Sequence, residues 1–456
     1  MSLRKIEQSL RTDAAIQRNE DFLKVSHKTE QLSSVMLECR PTKLILPLRE
    51  GEQIEHPSRI PEGRMYALTY PGTASSRCLV IYQEDVNVFI GGAPSFEYTQ
   101  IMLRRVGQED FQLIFNSTDH EYYFIPFEED WKEAADRFKK ELGLKGQQPF
   151  QGQPRYMLQM GVKRPNGDTY IRHFEELLPA VELFHQHFGE GHIVHLFGTN
   201  KDGYDRMFPD YTIDPAVGGE AALRKLLEEI RGYNLLTSHH YNPRLADTDW
   251  IRVNPDYKDA IVRRDGREVI EPYAGQYHYV MNLNHDRWYD RCMETVNYLS
   301  DLGFDYLEID QFVYQRNFYD PHKPLALGYK RMVDDFIARG QKFWVEGLSD
   351  VFRFPAGNFC QILIRDRSQL WEDGENRRGY PYGHTYADFF MYLWPDTEVS
   401  YQIFTEHKLF ERIEERFRKA RHIHAAVYDI ELGFFDESYI PNLKRLIETL
   451  ERHGLR

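Results

Sequence analysis

Two stretches, GFDYLEIDQF at 303–312 and KFWVEGLSD at 342–350, each place a carboxylate at the end of an apolar run. Phe304, Tyr306, Leu307 and Ile309 are what a buried strand requires, so an ionisable Asp310 at its C-terminal end is costly unless it has a partner or a task. Glu346 closes the second run ahead of Gly347, which lets a ligand or another backbone approach closely. Two carboxylates at one rim suit general acid/base or nucleophilic chemistry. A gap of about 5–5.5 Å fits a retaining glycosidase and about 6.5–9.5 Å an inverting one. The bland alternative is a pair of unrelated acids that cap loops or form salt bridges. Glu308 shares the inward face with Asp310 by strand alternation, as a partner or substrate contact. Asp366 is the reserve candidate for the acid.

Other polar and aromatic residues fall at the ends of predicted strands. Asn200, Lys201, Asp202, Tyr204 and Asp205 follow one strand, and His239, His240, Tyr241 and Asn242 follow the next. Gln311, Trp344 and Arg365 lie on later ones. Donors, acceptors and aromatic faces grouped on one rim are the inventory of a sugar site, although any one of them taken singly is more often structural. A catalytic metal is a rival reading, using His239, His240 and a carboxylate. Against it, the first strand (YMLQMGVKRP) lacks a terminal HxH, and His192 and His195 of HIVH face opposite sides of a strand. His422 and His424 are the other His pair. No GxSxG, HExxH or phosphate-loop motif occurs, so we expect no cofactor and no bound metal.

These residues need a scaffold that brings strand ends together. After Pro154, strand-like runs (156–162, 192–198, 235–241, 306–312, 342–348, 359–365, 387–393, 426–432) alternate with amphipathic helices near 173–187, 219–231, 286–302, 323–339, 400–420 and 437–453. Such alternation predicts parallel strands closed as a (β/α)8 TIM barrel over 151–456, with its active face at the C-terminal strand ends. The long inserts 199–218 and 242–285 fall on that face. From 61 to 150, short β-rich runs at intervals of roughly 8–12 residues predict a smaller β-sandwich module. It is joined to the barrel by the helix in EDWKEAADRFKKELGL and by GQQPFQGQP at 146–154. Residues 1–60 read as a polar, helical lead.

Composition narrows the function classes. In 456 residues, 71 acidic against 57 basic side chains leave a net charge of −14, which disfavours nucleic acid and anionic membranes as partners. Cys39, Cys78, Cys292 and Cys360 form no CxxC pair and read as reduced. The longest apolar run, Phe389 to Trp394, is far short of a membrane span, and the charged N-terminus lacks a secretory core, so the expected location is cytoplasmic. Aromatic residues at 14% suit carbohydrate stacking as well as a Tyr-rich core.

With these motifs in order, the chain resembles glycoside hydrolases. DWKEAADRFKKEL precedes the barrel, GYDRMFPDY follows its second strand, YHYVMNLNHDRWYDR leads to the fourth, and GFDYLEIDQF and WVEGLSD lie on the fourth and fifth. Over roughly 120–435 it is similar to bacterial proteins of the DUF6259 type, and more distantly to endo-α-N-acetylgalactosaminidases and amylase-like barrels. The resemblance implies a retaining hydrolase of an α-linked glycoside or oligosaccharide, with Asp310 as nucleophile and Glu346, 36 residues on, as acid/base. The alternatives are a non-catalytic carbohydrate-binding barrel and a metal-dependent barrel hydrolase.

Overall fold

The computed structural model describes residues 2–48, 50–144, 155–163, 167–169, 171–273, 275–312, 318–320, 322–355, 357–364, 384–403 and 422–425, with short pieces at 443–444, 447–448 and 451–452. Two sheets dominate. The first is antiparallel and has eleven strands. Its spine is a pair of 17-residue strands, Leu23–Cys39 and Phe111–Phe127, in register from Phe111↔Cys39 to Phe124↔Leu23 with a shift between Ser117 and Asp119. The second of these strands pairs with Thr99–Arg105 through its first half and with Asn87–Gly92 through its second. The strands expected to form a sandwich are thus hydrogen-bonded into one branched sheet. Residues 1–60 are not a polar lead. After the helix Ser2–Ser9, they supply strands to this same sheet and bury Leu23, Val25, Val35, Leu37 and Leu44. The strand His384–Tyr386 joins it from far along the chain.

The helix Trp131–Glu141 forms where its apolar stripe predicts. The Asp130 side chain caps it by accepting from the Lys132 amide, and Trp131, Ala134, Ala135 and Phe138 are buried. Phe138 lies so close over Gly91 that a Cβ there would come within 2.5 Å of its ring.

The second sheet has eight parallel strands in sequential order. They are β1 (Met157–Gly161), β2 (Ile193–Phe197), β3 (Leu236–Tyr241), β4 (Tyr306–Ile309), β5 (Lys342–Glu346), β6 (Phe359–Ile364), β7 (Val399–Ile403) and β8 (His422–Ala425). β1 and β8 lie next to one another. The helices Leu178–Phe188, Gly219–Gly232, Asp286–Leu302 and Ala326–Arg339 provide the crossovers up to β5. The apolar run expected to be the seventh strand is instead a short helix, Phe389–Leu393, whose Phe389, Phe390 and Leu393 are buried, and β7 begins at Val399. Periodicity cannot separate a short buried helix from a buried strand. The last strand ends at Ala425, earlier than the 426–432 expected, and those residues lie outside the described ones.

The two sheets are joined beside β5. The Tyr70 hydroxyl donates to Asp350 Oδ1 at 2.6 Å, the Asp350 amide donates to the Ser75 carbonyl at 2.9 Å, and Val351 packs on both apolar cores. The antiparallel sheet thus fixes the segment that leaves β5 just beyond Glu346. Among the described residues, no helix is long and apolar enough to cross a membrane.

Candidate active site

Asp310 stands one residue past β4, and its amide continues the ladder by donating to the Tyr241 carbonyl at 2.8 Å. The next residue, Gln311, has a left-handed φ of 53°, an uncommon conformation for a residue with a side chain. That turn aims the Gln311 amide at Glu346 Oε2, 3.0 Å away. The Asp310 and Glu346 carboxyls are themselves in hydrogen-bonding contact. β4 and β5 are neighbours in register (Ile309↔Val345), so both acids leave the sheet at one edge.

From β3, the Asn242 side-chain amide donates to Asp310 Oδ2 at 2.8 Å, and His240 Nε2 lies 3.4 Å from the same oxygen. Asn242 is held in place because its own Oδ1 accepts from the Arg244 and Leu245 amides. Asp205, on the loop after β2, is buried with φ 56° and brings Oδ1 to 3.9 Å from His240 Nε2. Its Oδ2 is buried without a hydrogen-bond partner among the described residues. Glu308, one layer deeper, pairs with His195 Nε2 at 2.9 Å. The other His195 nitrogen faces Ser238 Oγ at 3.1 Å, and that oxygen accepts from Trp344 Nε1 at 2.8 Å.

The electrostatics separate these acids. Burial raises the Asp310 carboxyl, but hydrogen bonding and charge from His240, then contacts with Glu346 and Asn242, outweigh it and bring it below the usual value. Glu308 is pushed well up, first by burial and then by the charges of Asp310, Glu346 and Asp205. Asp205 is pushed well up by burial and by Asp310. The Glu308 carboxyl beside His195 is pushed toward its neutral form, because a carboxylate there would face three other acids. Asp310 is the one held ionised.

The Asp205 shift has a testable sign. Its folded-state value is raised, so between the ordinary 3.8 and that raised value the unfolded chain gives up a proton that the folded chain keeps, and stability falls as pH rises. Asp205→Asn removes that penalty and tolerates the left-handed backbone. It is expected to stabilise the protein by about 1–2 kcal/mol at pH 7 and by almost nothing near pH 3.5, read by denaturant titration at both pH values.

The other expected site residues divide. Tyr204 sits edge-on to His240 with centroids 5.1 Å apart, and Asp202 lies on the same loop with Oδ2 buried and unpartnered among the described residues. Lys201 turns to Asp210 at 3.5 Å. His239 is not brought into the cluster. It points to the opposite face of β3 from His240, bonds Thr199 Oγ1 at 2.7 Å, and is lowered to about 3 by burial. Tyr241 shares that outer face, with its hydroxyl on the Cys292 carbonyl. Trp344 is not a sugar platform. It is fully buried inside the sheet, stacked on Phe359 at 5.8 Å. Arg365 and Asp366 lie outside the described residues. Arg244 was not anticipated. It is buried, forms a bidentate ion pair with Glu271 at 2.6 and 2.7 Å, and donates to Gln311 Oε1 at 3.1 Å. The segment YNPRLAD, with Asn242 and Asp247 beside it, does not single it out. Ser238 left no signal either.

For a metal, Asp205, His240 and Asp310 offer ligand atoms all within 4.8 Å of one another. This is a different trio from the His239–His240 pair of the sequence reading.

Comparison with known proteins agrees with this architecture. In overall structure the chain is similar to an α-galactosidase from Thermus thermophilus in complex with p-nitrophenyl α-D-galactopyranoside (13% identity, TM-score 0.62, covering 97% of this chain and 92% of that one). The same enzyme with stachyose gives 13% identity and a TM-score of 0.60 over 97% and 96%. A ligand-free α-N-acetylgalactosaminidase from Bifidobacterium bifidum gives 12% identity and a TM-score of 0.65 over 98% and 84%. At such identities the likeness is one of fold. No curated protein matches the sequence. The family described as Domain of unknown function (DUF6259) matches residues 117–347, just over half of the chain and a span that takes in both Asp310 and Glu346. The chain belongs to the DUF6259 family.

Proposed function

We propose that the protein is a retaining hydrolase of α-linked glycosides, with Asp310 as nucleophile and Glu346 as general acid/base. The observation that carries this reading is an Asp310 carboxyl lowered below its usual value beside His240 and Asn242 and in contact with a second carboxyl, Glu346. Asp310 attacks the anomeric carbon while the bond to the leaving oxygen breaks and Glu346 gives that oxygen its proton. Water then attacks the glycosyl-enzyme, Glu346 takes its proton back, and Asp310 leaves as the carboxylate. The contact between the two carboxyls is nearer the short separation of a retaining pair than the wider gap of an inverting one. The fold likeness to enzymes of α-galactosides and α-N-acetylgalactosaminides supports the α-linkage. The adjacency of β1 and β8 supports a closed (β/α)8 barrel from about residue 151 with this cluster at its mouth.

The test is hydrolysis of p-nitrophenyl α-D-galactopyranoside, its α-N-acetylgalactosaminide and stachyose, followed by proton NMR from the first turnover. The α-anomer is expected as the first product. The β-anomer would mean inversion, and binding without cleavage would mean a carbohydrate-binding barrel.

The Asp205, His240 and Asp310 trio favours a second reading, in which a divalent cation replaces the glycosyl-enzyme. Dialysis against EDTA separates the two. Activity unchanged by the chelator supports the nucleophile, and activity lost and then restored by zinc or manganese supports the metal.

A further inference from the structure

The side chain of Gln311 is held from the insert after β3. Its Oε1 accepts from Arg244 Nη1 at 3.1 Å, and the other hydrogen of that nitrogen goes to Glu271 Oε2 at 2.6 Å. Nη2 donates to Glu271 Oε1 at 2.7 Å, so the guanidinium is fixed at both prongs. Glu271 lies on the strand Ile270–Tyr273, which pairs with Gln276–Val280, and that strand pairs with Leu245–Asp247, directly after Arg244. The insert thus folds back on its own start and sets Glu271 opposite the arginine. With the Gln311 amide on Glu346 Oε2 at 3.0 Å, an unbroken series of hydrogen bonds runs from Glu271 through Arg244 and Gln311 to Glu346.

Two features argue that this series serves more than stability. Arg244 is buried, and the small cavity that it lines together with Gln311 is otherwise walled by side chains such as Val280, Met281, Phe312 and Tyr329. An ion pair in apolar surroundings adds little net stability over apolar side chains of the same volume, so its position there calls for another task. Gln311 also holds a left-handed φ of 53°, which a residue with a side chain seldom adopts, and it is this conformation that points its amide at Glu346. The bond from Arg244 pins the side chain of the strained residue. A second arm leads to the other carboxyl, since the Arg244 amide donates to Asn242 Oδ1 at 3.0 Å and Asn242 donates to Asp310. That arm is backbone and survives a change of side chain at 244.

We propose that Arg244 is a positioning residue for the acid/base: anchored by Glu271, its guanidinium holds Gln311 so that the Gln311 amide fixes the Glu346 carboxyl. This rests on the Asp310–Glu346 reading. Arg244 acts through Gln311 and not on the sugar, so its side chain matters to the step in which Glu346 gives a proton and not to the attack by Asp310. Lysine does not replace it, because a single ammonium on a shorter reach cannot hold both Glu271 oxygens and Gln311 at once.

The test compares stachyose, whose leaving oxygen needs a proton, with α-D-galactosyl fluoride, whose leaving group needs none. Arg244→Lys is expected to lower kcat/KM for stachyose about tenfold and to leave that for the fluoride within about twofold. Gln311→Met, which keeps the Arg244–Glu271 pair and breaks only the next link, is expected to do the same, and it carries the comparison if Arg244→Lys unfolds. The double variant is expected to fall no further than either single one, because both break one bond. An equal fall on both substrates, no fall on either, or additive falls in the double variant overturns the proposal. If wild-type protein cleaves neither substrate, the catalytic reading has failed and the clamp is judged by hydrogen exchange. Exchange of the Gln311 amide about tenfold faster in Arg244→Lys, with the Asp310 amide on the Tyr241 carbonyl unchanged, supports it. An unchanged Gln311 rate, or both amides faster together, overturns it.

Discussion

Asp310→Ala is expected to lower kcat on an α-glycoside by about 10⁴-fold or more, because the group that forms the covalent intermediate has no substitute in the cluster. Glu308 and Asp205, the other carboxyls near Asp310 besides Glu346, are both raised by burial and by their neighbours' charges, which disfavours either as an anionic nucleophile. The variant carries an independent readout. Removing the Asp310 carboxyl leaves space against the anomeric carbon for a small external anion, so azide is expected to restore turnover and yield a glycosyl azide of inverted configuration. Full activity without Asp310 would remove the nucleophile assignment. The alanine protein is also expected to fold, since the substitution removes the cost of burying the Asp310 charge together with the Asn242 and His240 contacts that offset it.

Glu346→Ala is the second large effect, and its size depends on the substrate. With stachyose, whose leaving oxygen needs a proton, kcat is expected to fall by about 10²–10⁴-fold. With α-D-galactosyl fluoride the first step needs no acid, and the loss is expected to be much smaller. The pH profile adds a sign. Contact with Glu346 helps to hold Asp310 below its usual value, so losing it raises Asp310 and moves the acidic limb of the fluoride profile to higher pH. In the parent protein that limb lies low, because Asp310 keeps its charge until the pH falls through its lowered value. The stability that this charge contributes is lost over the same interval. An acidic limb that stayed in place in Glu346→Ala would show that the two carboxyls do not communicate.

Both variants act on residues that sequence pattern alone could nominate. An acid ending an apolar run is conspicuous, because a buried strand pays a desolvation penalty for it, and the alternation of strands with amphipathic helices places such ends at one edge. Asp310, Glu346, Glu308, His240 and Asn242 were all legible in this way, as was the helix Trp131–Glu141 from its single apolar stripe. The roles of neighbouring residues were less so. His239 and His240 are adjacent and identical in type, and the two-residue period of β3 sends one to Asp310 and the other to Thr199. Trp344 shares the inward face with Glu346, but its register opposite Glu308 sets it a layer deeper, among Tyr306 and Phe359.

The sequence by itself determined which positions carry charge at the ends of buried strands, because local hydrophobic period and desolvation cost are properties of a few consecutive residues. The tertiary structure alone decided which of those charges is kept. Asp310 is lowered while Asp205 and Glu308 are raised, because His240 and Asn242 from β3 and Glu346 from β5 meet at Asp310 and a carboxyl's protonation depends on the distances to all of them. It alone brought Tyr98 to Tyr319 and Arg244 to Glu271, contacts between segments that share no local pattern. It alone merged residues 1–60 into the antiparallel sheet, since a strand of mixed polarity reads as a lead until hydrogen bonding to a partner such as Phe111–Phe127 places it in a sheet with one face on a core.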